Sequence, residues 1–242
     1  MFNILPALSC GPMDASAAIV IDESESDRGQ VLIIGGWDQD GPSSAVRKVD
    51  LATGVCTAQP SLLCPQGHLV YECTAGRLPD GRIVCAGTTC MVASDEESSE
   101  GGMEYHAITQ VLESPPHGSP SGASWQWKAL PGMSVLHSYG SGCMLSDGRF
   151  AVFGGQDASG ANTSSCEALT LDAEGARWSP LPPMHEPRRG FACVEIGGCV
   201  IIAGGEGLTT AELYEEGLGR WRRLPCSLPH NSQLSWMGGE LL

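Results

Sequence analysis

The sequence predicts an all-β fold built from several small antiparallel sheets, and three observations lead there. Glycine and proline supply 32 and 16 of the 242 residues, a turn-rich composition that suits many short strands better than long helices. A glycine, an apolar strand and a second glycine recur four times, at Gly29 and Gly35, Gly81 and Gly87, Gly148 and Gly154, and Gly198 and Gly204, always six residues apart. A coupled pattern follows each copy: an aromatic residue, two further residues, then Leu-Pro. It reads Trp127-Lys128-Ala129-Leu130-Pro131, Trp178-Ser179-Pro180-Leu181-Pro182 and Trp221-Arg222-Arg223-Leu224-Pro225, with Cys56-Thr57-Ala58-Gln59-Pro60 as a divergent copy.

Within a unit, Asp80-Gly81 and Asp147-Gly148 are hairpin turn pairs, so each copy opens as strand, tight turn, apolar strand and glycine break. The apolar strands show no in-out alternation, as expected when neighbouring sheets cover both faces. Seven residues before the aromatic position stand Val49, Leu171 and Tyr214, each followed by an acid (Asp50, Asp172, Glu215) and a glycine-containing turn. That is a second hairpin, ending in an outer strand whose free edge tolerates proline. The key glycines at 35, 87, 154 and 204 lie 52, 67 and 50 residues apart, so the period is near fifty with one insertion.

A diglycine after an apolar strand, then Tyr or an aliphatic, then Trp seven residues on, resembles the kelch repeat of β-propellers, found in kelch-like adaptors and in the central propeller of galactose oxidase-type enzymes. The resemblance implies a kelch-type β-propeller of four full four-stranded blades plus a split, incomplete fifth, a fragment of a larger ring. Residues 1–10 form the outer strand of the closing blade, because Phe2-Asn3-Ile4-Leu5-Pro6 repeats the aromatic pattern. Blades 1 to 4 take residues 11–62, 63–133, 134–184 and 185–229, and 230–242 starts the truncated blade. Thr88 in place of the second glycine and Cys56 in place of Trp depart from the repeat. Blade 2 carries inserted loops at 88–103 and 113–124; the first includes Ser94, Ser98 and Ser99 among acids, a pattern open to acid-directed kinases.

Lys and Arg number 13 against 28 Asp and Glu, a formal net charge of −15, so phosphate backbones and anionic membranes are repelled: no nucleic acid and no membrane is expected as partner. The eleven cysteines form no C-x-x-C pair, and several stand inside apolar runs, as Cys85 and Cys193 do, where a thiol acts as a small hydrophobe. That usage fits a reducing compartment, cytoplasmic or nuclear, and the N-terminal segment lacks the basic region of a secretion signal. No cofactor is expected. The six histidines show no H-x-H or H-E-x-x-H pair, and no nucleophile elbow, P-loop or dinucleotide fingerprint is present.

The resemblance implies a protein-protein interaction module, a scaffold or a substrate-recognition domain of a ubiquitin-ligase adaptor, whose loops on one rim bind a protein or peptide ligand. On that rim fall Trp37, Asp38, His137, Tyr139, Gln156, Asp157, His185, Arg188, Arg189 and Glu206. Arg188 and Arg189 match the place where such adaptors carry a ligand-contacting arginine. As a fork they suit the carboxylate of an acidic peptide; as solvated cations they merely offset an acidic surface. The alternative function is an enzyme with an axial-pocket site, sugar-active or metal-assisted.

Overall fold

The computed structural model describes residues 17–22, 29–38, 41–91, 105–113 and 125–227. Four four-stranded antiparallel sheets follow one another along the chain. Sheet 1 joins β1 (Ala17–Asp22), β2 (Gln30–Ile34), β5 (Val46–Asp50) and β6 (Cys56–Gln59), with a small hairpin of β3 (Trp37–Asp38) and β4 (Gly41–Pro42) between β2 and β5. Sheet 2 joins β7 (His68–Arg77), β8 (Ile83–Met91), β9 (Tyr105–Glu113) and β10 (Gln126–Leu130). In sheet 3 the order is β11 (Ser141–Met144), β12 (Phe150–Phe153), β13 (Cys166–Asp172) and β14 (Gly175–Leu181). In sheet 4 it is β15 (Ala192–Ile196), β16 (Cys199–Ala203), β17 (Thr210–Glu215) and β18 (Arg220–Ser227), with one 3-10 turn at Glu216–Leu218. The first strands β1, β7, β11 and β15 touch in succession, so the sheets are arranged as propeller blades with those strands innermost. The N-terminal outer strand, the truncated blade, the split fifth blade as a whole and Ser94, Ser98 and Ser99 lie outside the described residues.

The apolar strands alternate after all, between two dry faces. On β8, Ile83 and Cys85 join a core with Leu32, Ile34 and Val46 of blade 1, while Val84 and Ala86 join Phe150, Val152 and Leu169 of blade 3. On β12, Ala151 and Phe153 turn the other way, onto Cys193, Val200, Ile202 and Trp221 of blade 4. Three inter-blade cores therefore hold the described residues together, each drawing on both neighbours. Nine described cysteines are free; five are buried, four of them, Cys73, Cys85, Cys166 and Cys193, in these layers.

The outer-strand Trp closes each layer from the rim. Trp127 donates its indole N–H to Pro60 O at 2.8 Å, Trp178 to Pro131 O at 3.0 Å and Trp221 to Pro182 O at 2.8 Å. Each bond runs from one blade to the Leu-Pro segment, or its divergent copy, of the blade before it. Trp178 also donates to Thr109 Oγ1 at 3.1 Å, and Trp221 meets Phe153 edge-on at 5.8 Å.

Blade 2 departs from the pattern, and the loop expected at 88–103 is corrected: β8 runs through Thr88 to Met91, and Glu113 belongs to β9 rather than to the second inserted loop. Gly35, Gly154 and Gly204 take φ of 61°, 54° and 73°, breaking their strands, whereas Gly87 is not among the glycines with positive φ. With Thr88 after it instead of a second glycine, the strand continues, paired from Arg77↔Ile83 to His68↔Met91. Gly87 is needed for closeness instead: a Cβ there would stand 2.0 Å from Glu72 O and 2.7 Å from Cys73 Cα.

Gly87→Ala should therefore cost at least about 1–3 kcal/mol through overpacking, whereas Gly217→Ala, with open space around it, should stay within about 0.5 kcal/mol of wild type. Urea unfolding of both variants checks this, and equal midpoints would contradict it. Trp178→Phe keeps most of the buried area and loses only the N–H, for a cost of about 1 kcal/mol, while Trp221→Ala should cost roughly 3–5 kcal/mol.

Candidate functional site

One position on the third strand of blades 2, 3 and 4 organises the loops above it. Gln110, Glu167 and Glu212 pair with Cys85, Val152 and Ile202, each two residues before the key glycine. All three are buried. Each turns up to catch the loop arriving from the preceding blade. Gln110 accepts from Leu63 N and donates to Leu63 O, both at 2.7 Å. Glu167 accepts from Ser134 N (3.1 Å), Ser134 Oγ (2.8 Å) and Val135 N (2.8 Å). Glu212 accepts from His185 N (2.8 Å) and Glu186 N (3.1 Å), and His185 Nδ1 lies 2.8 Å from Oε2. Burial pushes the Glu167 carboxyl up, but His137, Ser134 and the Val135 N–H together outweigh it and hold it at about 2. Glu212 is likewise lowered, burial being overcome by the His185 N–H and the Arg188 guanidinium.

Two of the expected rim residues prove to be internal partners of these acids. His137 is buried, its Nδ1 2.5 Å from Gly154 O and its Nε2 3.4 Å from Glu167 Oε1. Arg188 is fully buried: Nη1 donates to Gly204 O (2.8 Å) and Thr210 O (3.1 Å), and Nη2 to Glu212 Oε1 (2.9 Å), Glu186 Oε2 (3.1 Å) and Thr210 Oγ1 (3.2 Å). Gly154 and Gly204 are the equivalent key glycines, so His137 and Arg188 occupy the same place in successive blades. Arg188 as a ligand fork is thereby corrected: five acceptors inside the protein hold its two terminal nitrogens, and none of its surface faces solvent. His137 leaves the rim for the same reason. His185, although exposed at its ring, is tied to Glu212.

Three of the remaining residues converge. Arg189 forms an ion pair with Glu206 and places its guanidinium 5.7 Å from the centre of the Tyr139 ring. The backbone stitches the three loops together: Gly190 N donates to Tyr139 O at 2.9 Å and Glu206 N to Arg189 O at 3.0 Å. Tyr139 has φ 59°, the one positive φ at a non-glycine residue among the described residues. Its N–H donates to the carboxylate of Glu72, on β7. Burial pushes the Glu72 carboxyl up to about 8, against the opposing pull of that N–H and of Arg189. A strained backbone beside a displaced acid is the kind of feature that marks a working surface. Glu72 was missed in the sequence, where nothing distinguishes it from a solvated strand acid.

The rest stand apart from this group. Gln156 bridges by its backbone to Ser138 and sends Nε2 to Gly160 O at 2.9 Å; Asp157 closes its own turn onto Ser159 N (2.8 Å) and Ala161 N (3.2 Å). Trp37 is exposed on the β3–β4 hairpin, with Asp38 next to it in the chain. Among the described residues no three His, Cys, Asp or Glu side chains gather to hold a metal ion, and no helix is long and apolar enough to cross a membrane.

Four antiparallel four-stranded sheets, innermost strands in succession and indole–proline bonds between them define a β-propeller. No family model matches the chain. Over 117 residues it is 27% identical to an F-box/kelch-repeat protein of Arabidopsis thaliana, a match covering 41% of this chain and 30% of that one. Over 89 residues it is 28% identical to kelch-like protein 30 of Homo sapiens, covering 36% of this chain and 15% of the relative. The matched segments thus span less than a third of either relative. The solved structure of YjhT superposes with a TM-score of 0.64 over 96% of this chain and 70% of its own, at 14% identity, a likeness of fold. The chain is a kelch-repeat β-propeller.

The two acids have opposite effects on stability as pH changes. Glu167, at about 2 when folded against an ordinary 4.5, contributes fully above about pH 4.5, and that contribution is lost as pH falls through about 2. Glu167→Gln should therefore be less stable than wild type at neutral pH, with the gap closing in acid. Glu72, at about 8 against 4.5, favours the folded state fully below about pH 4.5 and loses that contribution as pH rises through about 8. Glu72→Gln should overtake wild type on the alkaline side. Urea unfolding from about pH 2 to pH 9 checks both. Arg188→Ala, which strands Glu212 in the interior, should cost roughly 3–5 kcal/mol.

Proposed function

We propose that the chain is a protein-interaction module that holds a peptide segment of its partner where the loops leading into blades 3 and 4 meet. The observation that carries this is the meeting of Tyr139, Arg189 and Glu206 from three separate loops, an aromatic platform with one cation and one anion on it. Glu206 takes two of the five guanidinium donors, so an acidic residue of the partner binds by sharing Arg189 with it. The matched ligand offers both charges, a carboxylate to Arg189 and a donor to Glu206. The kelch-repeat relatives support an interaction role, and the F-box in the name of one supports substrate recruitment to a ubiquitin ligase as its finer form. A reducing, cytoplasmic or nuclear setting belongs to this reading; nine free thiols support it.

Glu72 is what favours the alternative, an enzyme working from the axial mouth. A carboxyl raised to about 8 beside Tyr139 and Arg189 has the protonation a general acid needs at neutral pH.

Tyr139→Gly is a clean probe, because glycine accepts the φ of 59° without strain. Affinity capture with wild type, Tyr139→Gly and Arg189→Ala, each confirmed folded by its melting temperature, should show the same partners lost from both variants. Partners retained by both variants overturn the proposed surface. Arg188→Ala is no test of binding, since its loss is a loss of stability.

A further inference from the structure

The upper end of blade 2 brings together two histidines that lie 38 residues apart in the chain. Because β8 runs unbroken past Gly87, His68 of β7 stands opposite Met91, and His106 of β9 stands opposite Thr89, two residues before Met91 on the same face of the sheet. The two imidazoles reach towards each other across β8 until their ring centroids are 5.1 Å apart, at an interplanar angle of 54°. Two imidazoles bound to one ion at about 2.0–2.1 Å, with a near-tetrahedral angle between them, have centroids about 5 Å apart.

His68 is 8% exposed, and its Nδ1 is buried with no hydrogen-bond partner. A buried ring nitrogen left in that state is costly, and it calls for a ligand. His106 is exposed, so the pair opens to solvent on its side. The formal charge of −15 draws cations to the molecule, and imidazole donors select transition ions such as Zn2+ or Cu2+ over the oxygen-seeking Mg2+ and Ca2+.

We propose that His68 and His106 form a two-imidazole site for a divalent transition-metal ion, open to solvent beside Met91. Such an ion ties β7 to β9 across β8 and fixes the upper end of blade 2. The site is separate from the rim residues of the proposed function and stands without them.

The probe is Zn2+ alone, added to the full chain kept reduced. Eleven cysteines provide a background, so the informative quantity is the difference between wild type and His106→Gln, each referred to its own metal-free melting temperature. Wild type should take up one more equivalent of Zn2+ than the variant by calorimetric titration. The imidazole C–H resonances of His68 and His106 should shift together over that equivalent, and Zn2+ should raise the melting temperature of wild type more than that of the variant. Equal uptake by the two proteins, or imidazole resonances of His68 and His106 that do not respond to Zn2+, overturns the proposal.

Discussion

The indole N–H bound to the preceding blade's proline carbonyl is the constraint on which the other features rest. A blade cannot bury its own two apolar faces, so the fold depends on setting neighbours at a fixed angle and distance. Trp127, Trp178 and Trp221 do this with a large flat group and one directional bond each, to Pro60, Pro131 and Pro182. The proline suits its place because its carbonyl is free to accept from outside the sheet at the strand's end. Once that joint is made, the next strands have little freedom: Phe150 and Phe153 must face opposite ways, and Ile83 and Val84 must serve different cores.

A second joint acts nearer the axis, with different chemistry. Gln110, Glu167 and Glu212 replace the missing partners of loop N–H groups that no strand ladder can reach. An amide suffices where both a donor and an acceptor are wanted, as at Leu63. A carboxylate serves where several donors converge, and a nitrogen-bearing side chain lies against it, the guanidinium of Arg188 in blade 4 at 2.9 Å and the imidazole Nε2 of His137 in blade 3 at 3.4 Å. The loops are thus rigid at their roots, and only their outermost residues, among them Tyr139, Arg189 and Glu206, remain for contact with another molecule.

The register of the repeat was legible because it rests on spacing: the key glycines and the Trp positions recur whatever lies between them. What each Trp bonds to was not, because the bond joins one copy to the next and leaves no mark within either. Arg188 and Arg189 look alike as neighbours in sequence, yet one is wholly internal and the other lies at the rim. A signal existed. Aligning Met133 with Met184 sets His137 against Arg188, whereas Glu167 lies 13 residues after Gly154 and Glu212 eight after Gly204, so it is the strand pairing that makes the two acids equivalent. A pair of nitrogen-bearing side chains recurring at one place in two blades points to structure before ligand. His68 and His106 carry no such signal, since only the straight course of β8 brings them together.

That straight course also explains why the unusual groups collect around blades 2 to 4. In blades 3 and 4 the innermost strand is paired only as far as the residue before the key glycine, Ser141 with Phe153 and Ala192 with Ala203. In blade 2 the glycine does not turn, so β7 gains a further stretch from His68 to Cys73, and Glu72 lies on it. From there Glu72 meets the N–H of Tyr139, while Thr88 meets Ser138 Oγ at 3.1 Å in the same loop. Replacing one glycine by Thr88 therefore does more than lengthen a hairpin. It raises an acid towards the mouth of the propeller, helps hold Tyr139 in a backbone conformation that a tyrosine seldom adopts, and sets that ring where the guanidinium of Arg189 lies against it.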